Sequence, residues 1–208
     1  MPERGSRFPE MVAVARDLLE TEGPEALTMR RVAARLGIRE PSLYKHASGR
    51  DELLAGVVAS GMRELAEGRR EALRPAAGVV DALARLAAFQ REFASRHPHL
   101  YRLMFDRPFP RELLPAHADA EAWRPVIEVL GSEERHWAAF AFAHGMLELE
   151  RTGRLPPGEQ LEAVWRVGLD AFAGLADQGP VERQLEACRE LVAGLEAAIE
   201  GFRRGPRS

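Results

Sequence analysis

Apolar residues recur at steps of three and four along nearly the whole chain, and little in it could build a sheet. Phe8, Met11, Val12, Ala15, Leu18 and Leu19 begin the pattern, and Gly23 and Pro24 close that segment. Val, Ile and Thr, the β-branched residues that favour strands, supply only 19 of 208 positions, while Ala, Leu, Arg and Glu fill much of the rest. The expected fold is therefore all-α, with nine to ten helices and enough chain to bury a core. A single cysteine, Cys188, excludes an internal disulfide and a multi-cysteine zinc site, which fits a reducing compartment. The start, MPERGSRFPE, has no apolar core of a signal peptide, and the longest apolar run, Trp137 to Leu147, is well short of the ~20 residues that span a bilayer. The expectation is a cytoplasmic protein with no membrane partner.

The net charge of -3 speaks against nucleic acid only until it is divided by region. Between Thr28 and Arg50 stand Arg30, Arg31, Arg35, Arg39, Lys45 and Arg50 against Glu40 alone, a local +5 that leaves -8 for the remainder. Thr28 is placed to cap a second helix whose stripe is Met29, Val32, Ala33 and Leu36. Gly37 ends it, Ile38 follows as a buried anchor, and residues 39 to 46 read as a short third helix with Pro41 tolerated in its first turn. Helix, glycine turn and short polar helix make a helix-turn-helix. Such a helix enters a major groove about 12 Å wide while its neighbours hold the backbone. Leu43 faces inward, which leaves Arg39, Glu40, Ser42, Tyr44 and Lys45 for the duplex. A fourth helix from about 51 to 70 carries Leu54, Val57, Val58, Met62 and Leu65, and its positive end near Arg50 favours a phosphate.

The stretch LTMRRVAARLGIREPSLYKHASGRDELL, Leu27 to Leu54, resembles the DNA-binding signature of the tetracycline-repressor (TetR) family, with Ala15, Leu18, Leu19 and Gly23 matching its lead-in. The resemblance implies that Thr28, Tyr44 and Arg50 hold phosphates and that His46 supports the third helix. It also implies that Arg39, Pro41, Ser42 and Lys45 lie nearest base edges. Tyr44 has a second reading, a hydroxyl satisfied within the protein, and Arg30 and Arg31 read equally as solvated. Two positions depart from the family pattern: Ala47 stands where a Phe is common, and Arg50 where a Lys is common.

The division expected is a DNA-binding head of residues 1–52, the helix from 51 to 70 as connector, and an effector-binding and dimerisation domain of 75–208. Twelve of the 14 aromatic residues lie after residue 85, so a pocket belongs to this second domain. Its candidate lining is Phe89, Phe93, Tyr101, Met104, Phe105, Trp123, Phe140, His144 and Trp165, each of which reads also as plain core, and together they suit a small lipophilic or aromatic effector. A helix is expected over Trp123 to Leu130. From Trp137 to Leu147 residues are apolar on nearly every side, which predicts burial all round. That run resembles a TetR subgroup marked by a Trp and a His-Gly pair, here Trp137, His144 and Gly145. By the same family likeness, helices over Ser132 to Gly153 and Pro157 to Asp177 form a four-helix interface with a second copy. A last helix over 180–204, with Val181, Leu185, Cys188, Val192, Leu195, Ile199 and Phe202 at alternating steps of four and three, either joins that interface or docks on its own domain.

Catalysis and cofactors find no support in the motifs. His97, His99, His117, His136 and His144 have no HExxH spacing, and there is no glycine-rich phosphate loop or nucleophile elbow. Glu148 and Glu150 project about 200° apart on a helix. The function expected is a homodimeric transcriptional regulator, a repressor released from a palindromic operator by its effector. The alternative is a ligand-binding helical protein of the same fold that acts as an activator or has weakened DNA binding.

Overall fold

The computed structural model describes residues 7–106, 111–155 and 158–177. The expected last helix over 180–204, Cys188 included, lies outside the described residues. Among these, the chain forms eight α-helices and three short 3-10 segments with no strand: α1 (Phe8–Glu22), α2 (Met29–Arg35), α3 (Arg50–Leu73), α4 (Val79–Arg96), α5 (Pro98–Phe105), α6 (Ala118–Leu130), α7 (Glu133–Arg151) and α8 (Glu159–Asp177). The 3-10 segments are Pro24–Ala26, Glu40–Lys45 and Arg111–Leu113. The all-α expectation is met, and among the described residues no helix is long and apolar enough to cross a membrane.

The chain divides into two compact units, the first running to Ala77 and resuming over Ala84–Val126, the second holding Gly78–Leu83 and the chain from Ile127. This cut by packing differs from the division by role at 52 and 75, because Ala84–Val126 packs with the N-terminal segment. In the first unit α1 lies on α3 and α5. Met11, Ala15, Leu18 and Leu19, one stripe of α1, are all buried, together with Leu53, Val57, Val58, Met62 and Leu65 of α3 and Leu100 of α5. Close approach depends on glycines of α3. A Cβ at Gly56 would stand 2.6 Å from Val12, at Gly61 2.6 Å from Met104 Sδ, and at Gly68 2.1 Å from the Phe89 ring.

Two sequence expectations about the later helices change: one helix is present but longer than expected, and another is less buried. The helix expected over Trp123 to Leu130 begins at Ala118 and runs through Pro125. Its start is favoured by acidic Asp119 and Glu121 in the first turn and by the Asp119 to Arg111 ion pair at 2.7 Å, while buried Ala122 and Trp123 hold it to the core. The all-round burial expected for Trp137 to Leu147 is absent as well. In α7 only His136 and Met146 are buried, and Trp137 is 54% exposed. One chain supplies α8 on one side of α7, and α8 itself leaves Val164, Val167 and Leu175 exposed on a single stripe.

Candidate nucleic-acid interface and buried polar centre

The turn that builds the candidate interface is fixed by backbone bonds that the sequence makes available. The Thr28 hydroxyl accepts the Arg31 N–H at 3.3 Å and caps α2. Gly37, at φ +66, takes the left-handed conformation that lets its own N–H reach Ala34 O and the Ile38 N–H reach Ala33 O. Ile38 is half-buried, so the deep anchor is Leu43, which is fully buried, with Val32 beneath α2.

The expected short third helix is a 3-10 helix from Glu40 to Lys45. With three residues per turn its side chains line up in three rows. The row Glu40, Leu43, His46 faces the head: Leu43 is buried and the other two are half-buried, so Glu40, expected to face the duplex, is turned inward by the three-residue repeat. The rows Arg39, Ser42, Lys45 and Pro41, Tyr44 face away, and all five are exposed except half-buried Ser42. The segment thus gathers the expected base-edge residues into one outward surface beside Tyr44, whose hydroxyl donates only a long bond of 3.4 Å to Glu40.

The remaining clamp residues lie at helix ends. Thr28 keeps its O–H to donate while its oxygen caps α2. Arg50, at the first turn of α3, donates through Nε to Leu27 O at 2.9 Å, which locks the start of α3 to the chain entering α2. The His46 N–H closes on Leu43 O, and Ala47, in place of the family's aromatic, is buried. Glu52 accepts the Ser48 N–H at 2.5 Å, and this bond holds its carboxyl below the usual range.

The local +5 is not all available to a partner. Arg31 pairs with Glu22, and Arg35 pairs with Asp17 at 3.0 Å and Glu22 at 2.8 Å, acids of α1 outside the counted stretch. These pairs are exposed and weak, so a phosphate can compete for them. No side-chain partner is recorded among the described residues for Arg30, Arg39 or Lys45.

The nine candidate pocket residues fall six in the first unit and three in the second. In the first, Tyr101 meets Phe105 edge-on at 4.9 Å, Phe105 meets Trp123 at 5.8 Å, and Phe89 meets Phe93 at 6.2 Å; Met104 is buried. In the second, Phe140 stacks on His144 at 5.6 Å, and Trp165 meets Phe142 at 5.5 Å while its indole N–H donates to Glu150. What the sequence reading missed is Arg69. It is 3% exposed, its guanidinium lies 4.5 Å from the Trp123 ring centre, and it donates to Ala122 O at 2.7 Å and Gln90 Oε1 at 2.8 Å. Burial pulls its pKa down to about 10, and burial pushes the neighbouring Tyr101 up to about 12, so at neutral pH one is a cation and the other a phenol. The signal was present: Arg69 continues the stripe of Met62, Leu65 and Ala66 at the helical step, where an apolar residue is expected. Among the described residues no cluster of three or more His, Cys, Asp or Glu is placed to hold a metal.

Comparison with known proteins agrees with this geometry. The family described as bacterial regulatory proteins, tetR family, matches residues 11–57, and the tetracyclin repressor-like C-terminal domain matches residues 83–172. An uncharacterized HTH-type transcriptional regulator of Mycobacterium tuberculosis, Rv0681, is 30% identical over 161 residues, 69% of each chain. The HTH-type transcriptional activator FasR of Mycolicibacterium smegmatis is 28% identical over 115 residues, 52% of each. A structure of a protein of unknown function from Rhodococcus sp. RHA1 shares the fold with a TM-score of 0.70 at 22% identity, covering 83% of this chain and 98% of that one.

Proposed function

The chain belongs to the tetR family of bacterial regulatory proteins, transcriptional regulators and not enzymes, built of a helix-turn-helix head and a ligand-binding domain, and from that premise we propose that it is a homodimeric repressor working in the cytoplasm. Two heads occupy the half-sites of a palindromic operator because a twofold protein reads a twofold site. The observation that carries this reading is the outward surface of the Glu40–Lys45 segment. Arg39, Pro41, Ser42 and Lys45 read base edges, Thr28, Tyr44 and Arg50 hold phosphates, and His46 steadies the segment from behind. Phosphate contacts set register and salt dependence, and base contacts choose the sequence.

The partner copy covers α7 and α8. Trp137, Val164, Val167 and Leu175 leave an apolar face there that a lone soluble chain rarely carries, and Val167 alone is 72% exposed. A small lipophilic effector binds among the aromatic residues and shifts α3, whose first residue is tied to the head through Arg50 and Leu27. The effector releases DNA only to the extent that it binds the two states unequally. One relative is named an activator, FasR, so activation is the alternative sign of the same machinery.

Band-shift titration with the DNA upstream of the chain's own gene tests the reading. A specific, salt-sensitive complex is expected, weakened about tenfold or more by Tyr44→Ala or Lys45→Ala. The absence of any specific complex, or one indifferent to Tyr44→Ala, overturns it.

A further inference from the structure

Arg69 is an enclosed cation, and among the described residues no acid pairs with it. Its recorded partners among the described residues are the Ala122 carbonyl, the Gln90 amide and the Trp123 ring, all neutral, and its one charge interaction of note is with Tyr101, a phenol at neutral pH. Burying a guanidinium without a counter-charge is costly, and the stripe it occupies would pack with Leu or Met in its place. Part of its role is structural. Its guanidinium donates to the Ala122 carbonyl in the turn of α6 that precedes Pro125 and so ties α3 to α6. A cation is not required for that, since a neutral donor would serve.

We propose that Arg69 receives the carboxylate of the effector, which is therefore a lipophilic carboxylic acid; this rests on the effector-responsive reading above. The surroundings suit that group. A guanidinium offers paired N–H donors that match a carboxylate, and its attraction strengthens away from water. The acid displaces the Gln90 carbonyl from Arg69, and the Gln90 amide, which now donates to Tyr101 Oη at 3.4 Å, can turn its NH2 toward the incoming oxygens. The Tyr101 hydroxyl adds a third donor. The rings packed around this centre are Trp123, Tyr101 and Phe105, with Phe105 half-buried, so the rest of the ligand is apolar or aromatic. Specificity follows from desolvation: an ester or alcohol of the same shape leaves the buried charge unpaired. The effect reaches DNA because Arg69 ties α3 to α4 through Gln90 and to α6 through Ala122, and exchanging those ties for a ligand frees the helix that carries Arg50.

The test is thermal shift on the full chain with straight-chain carboxylic acids of six to sixteen carbons, benzoic acid and 1-naphthoic acid, each beside its methyl ester. At least one acid is expected to raise Tm with an apparent Kd roughly ten- to hundredfold below that of its ester. Arg69→Met should erase the preference and Arg69→Lys should keep part of it. Tyr101→Phe, which keeps the ring, should weaken the acid severalfold and leave the ester unchanged, and it serves if Arg69→Met does not fold. The proposal is overturned if no acid in the series binds, if acids and esters bind alike, or if Arg69→Met retains the preference. Operator band shifts run beside it separate the two readings. A protein that binds its operator and ignores every acid loses only this proposal, whereas one that binds acids without any operator complex loses the regulator reading.

Discussion

At Gly68 one hydrogen atom decides whether α3 can lie against the Phe89 ring. A methyl group there would stand 2.1 Å from ring carbons, far inside contact distance. Alanine is the better helix former by about 1 kcal/mol, but the overlap outweighs it, so Gly68→Ala should destabilise by about 1–3 kcal/mol in urea unfolding. Adding Phe89→Leu should recover part of the loss, and a neutral Gly68→Ala would show that the ring simply moves aside. Leu43 is the inward residue of its 3-10 segment. Leu43→Ala should cost about 2–5 kcal/mol and abolish operator binding, because Leu43 is the fully buried residue that seats the two outward rows. Leu43 was legible in the sequence as the lone apolar residue between polar neighbours. The contact between Gly68 and Phe89 was not, because residues 21 apart meet only after two helices have packed.

Among the elements, α3 and α5 show how ends are secured from outside. Glu52 reaches back to the Ser48 N–H, and this bond lowers its pKa below the ordinary 4.5. A carboxyl whose folded pKa is depressed stabilises the fold above its unfolded pKa and loses that contribution as pH falls through the folded value. Glu52→Gln should therefore lower Tm at neutral pH and have little effect well below pH 4, which melting curves across that range would check. The N-terminus of α5 is held by α1. The Glu20 carboxylate accepts the Leu100 N–H at 2.7 Å and the His99 N–H at 3.4 Å, favoured by the positive end of the helix. Glu20→Ala should cost about 1 kcal/mol, with amide exchange rising first at Leu100. Nearby, Glu64 of α3 pairs with both Arg16 of α1 and His97, the residue preceding α5, so three elements share one carboxylate. Helix periods could be read from the chain, but the acids that cap and bridge them could not, since Glu20 and Glu64 look like ordinary solvated positions.

For the whole molecule the decisive measurement is mass in solution. Val167 touches little in one chain, so Val167→Glu should leave helix content intact while converting a dimer to a monomer in light scattering and weakening operator binding by far more than tenfold. A variant that remains dimeric would remove α8 from the interface. Truncation after Asp177 asks the separate question of whether residues 178–208 contribute: a dimer that survives unchanged excludes them. The regional charge split is qualified at this scale. Arg31 and Arg35 are met by Glu22 and Asp17 of α1, so the positive surface is narrower than the +5 of the linear stretch, and Arg30, Arg39 and Lys45 stand out on it.

The sequence by itself determined the all-helical class, the helix-turn-helix and, Glu40 excepted, the residues of its outward surface, because periodicity, a capping Thr28 and a Gly37 turn act over a few residues. It also supplied the aromatic inventory of the later helices. Only the tertiary structure decided that the third helix is 3-10, that α6 runs through Pro125, and that Trp137 is left open instead of enclosed. It alone placed a lone guanidinium among Gln90, Tyr101 and Trp123. Those outcomes depend on which surfaces meet, and a charged residue inside an apolar stripe becomes informative only when its neighbours among the described residues are found to carry no opposite charge.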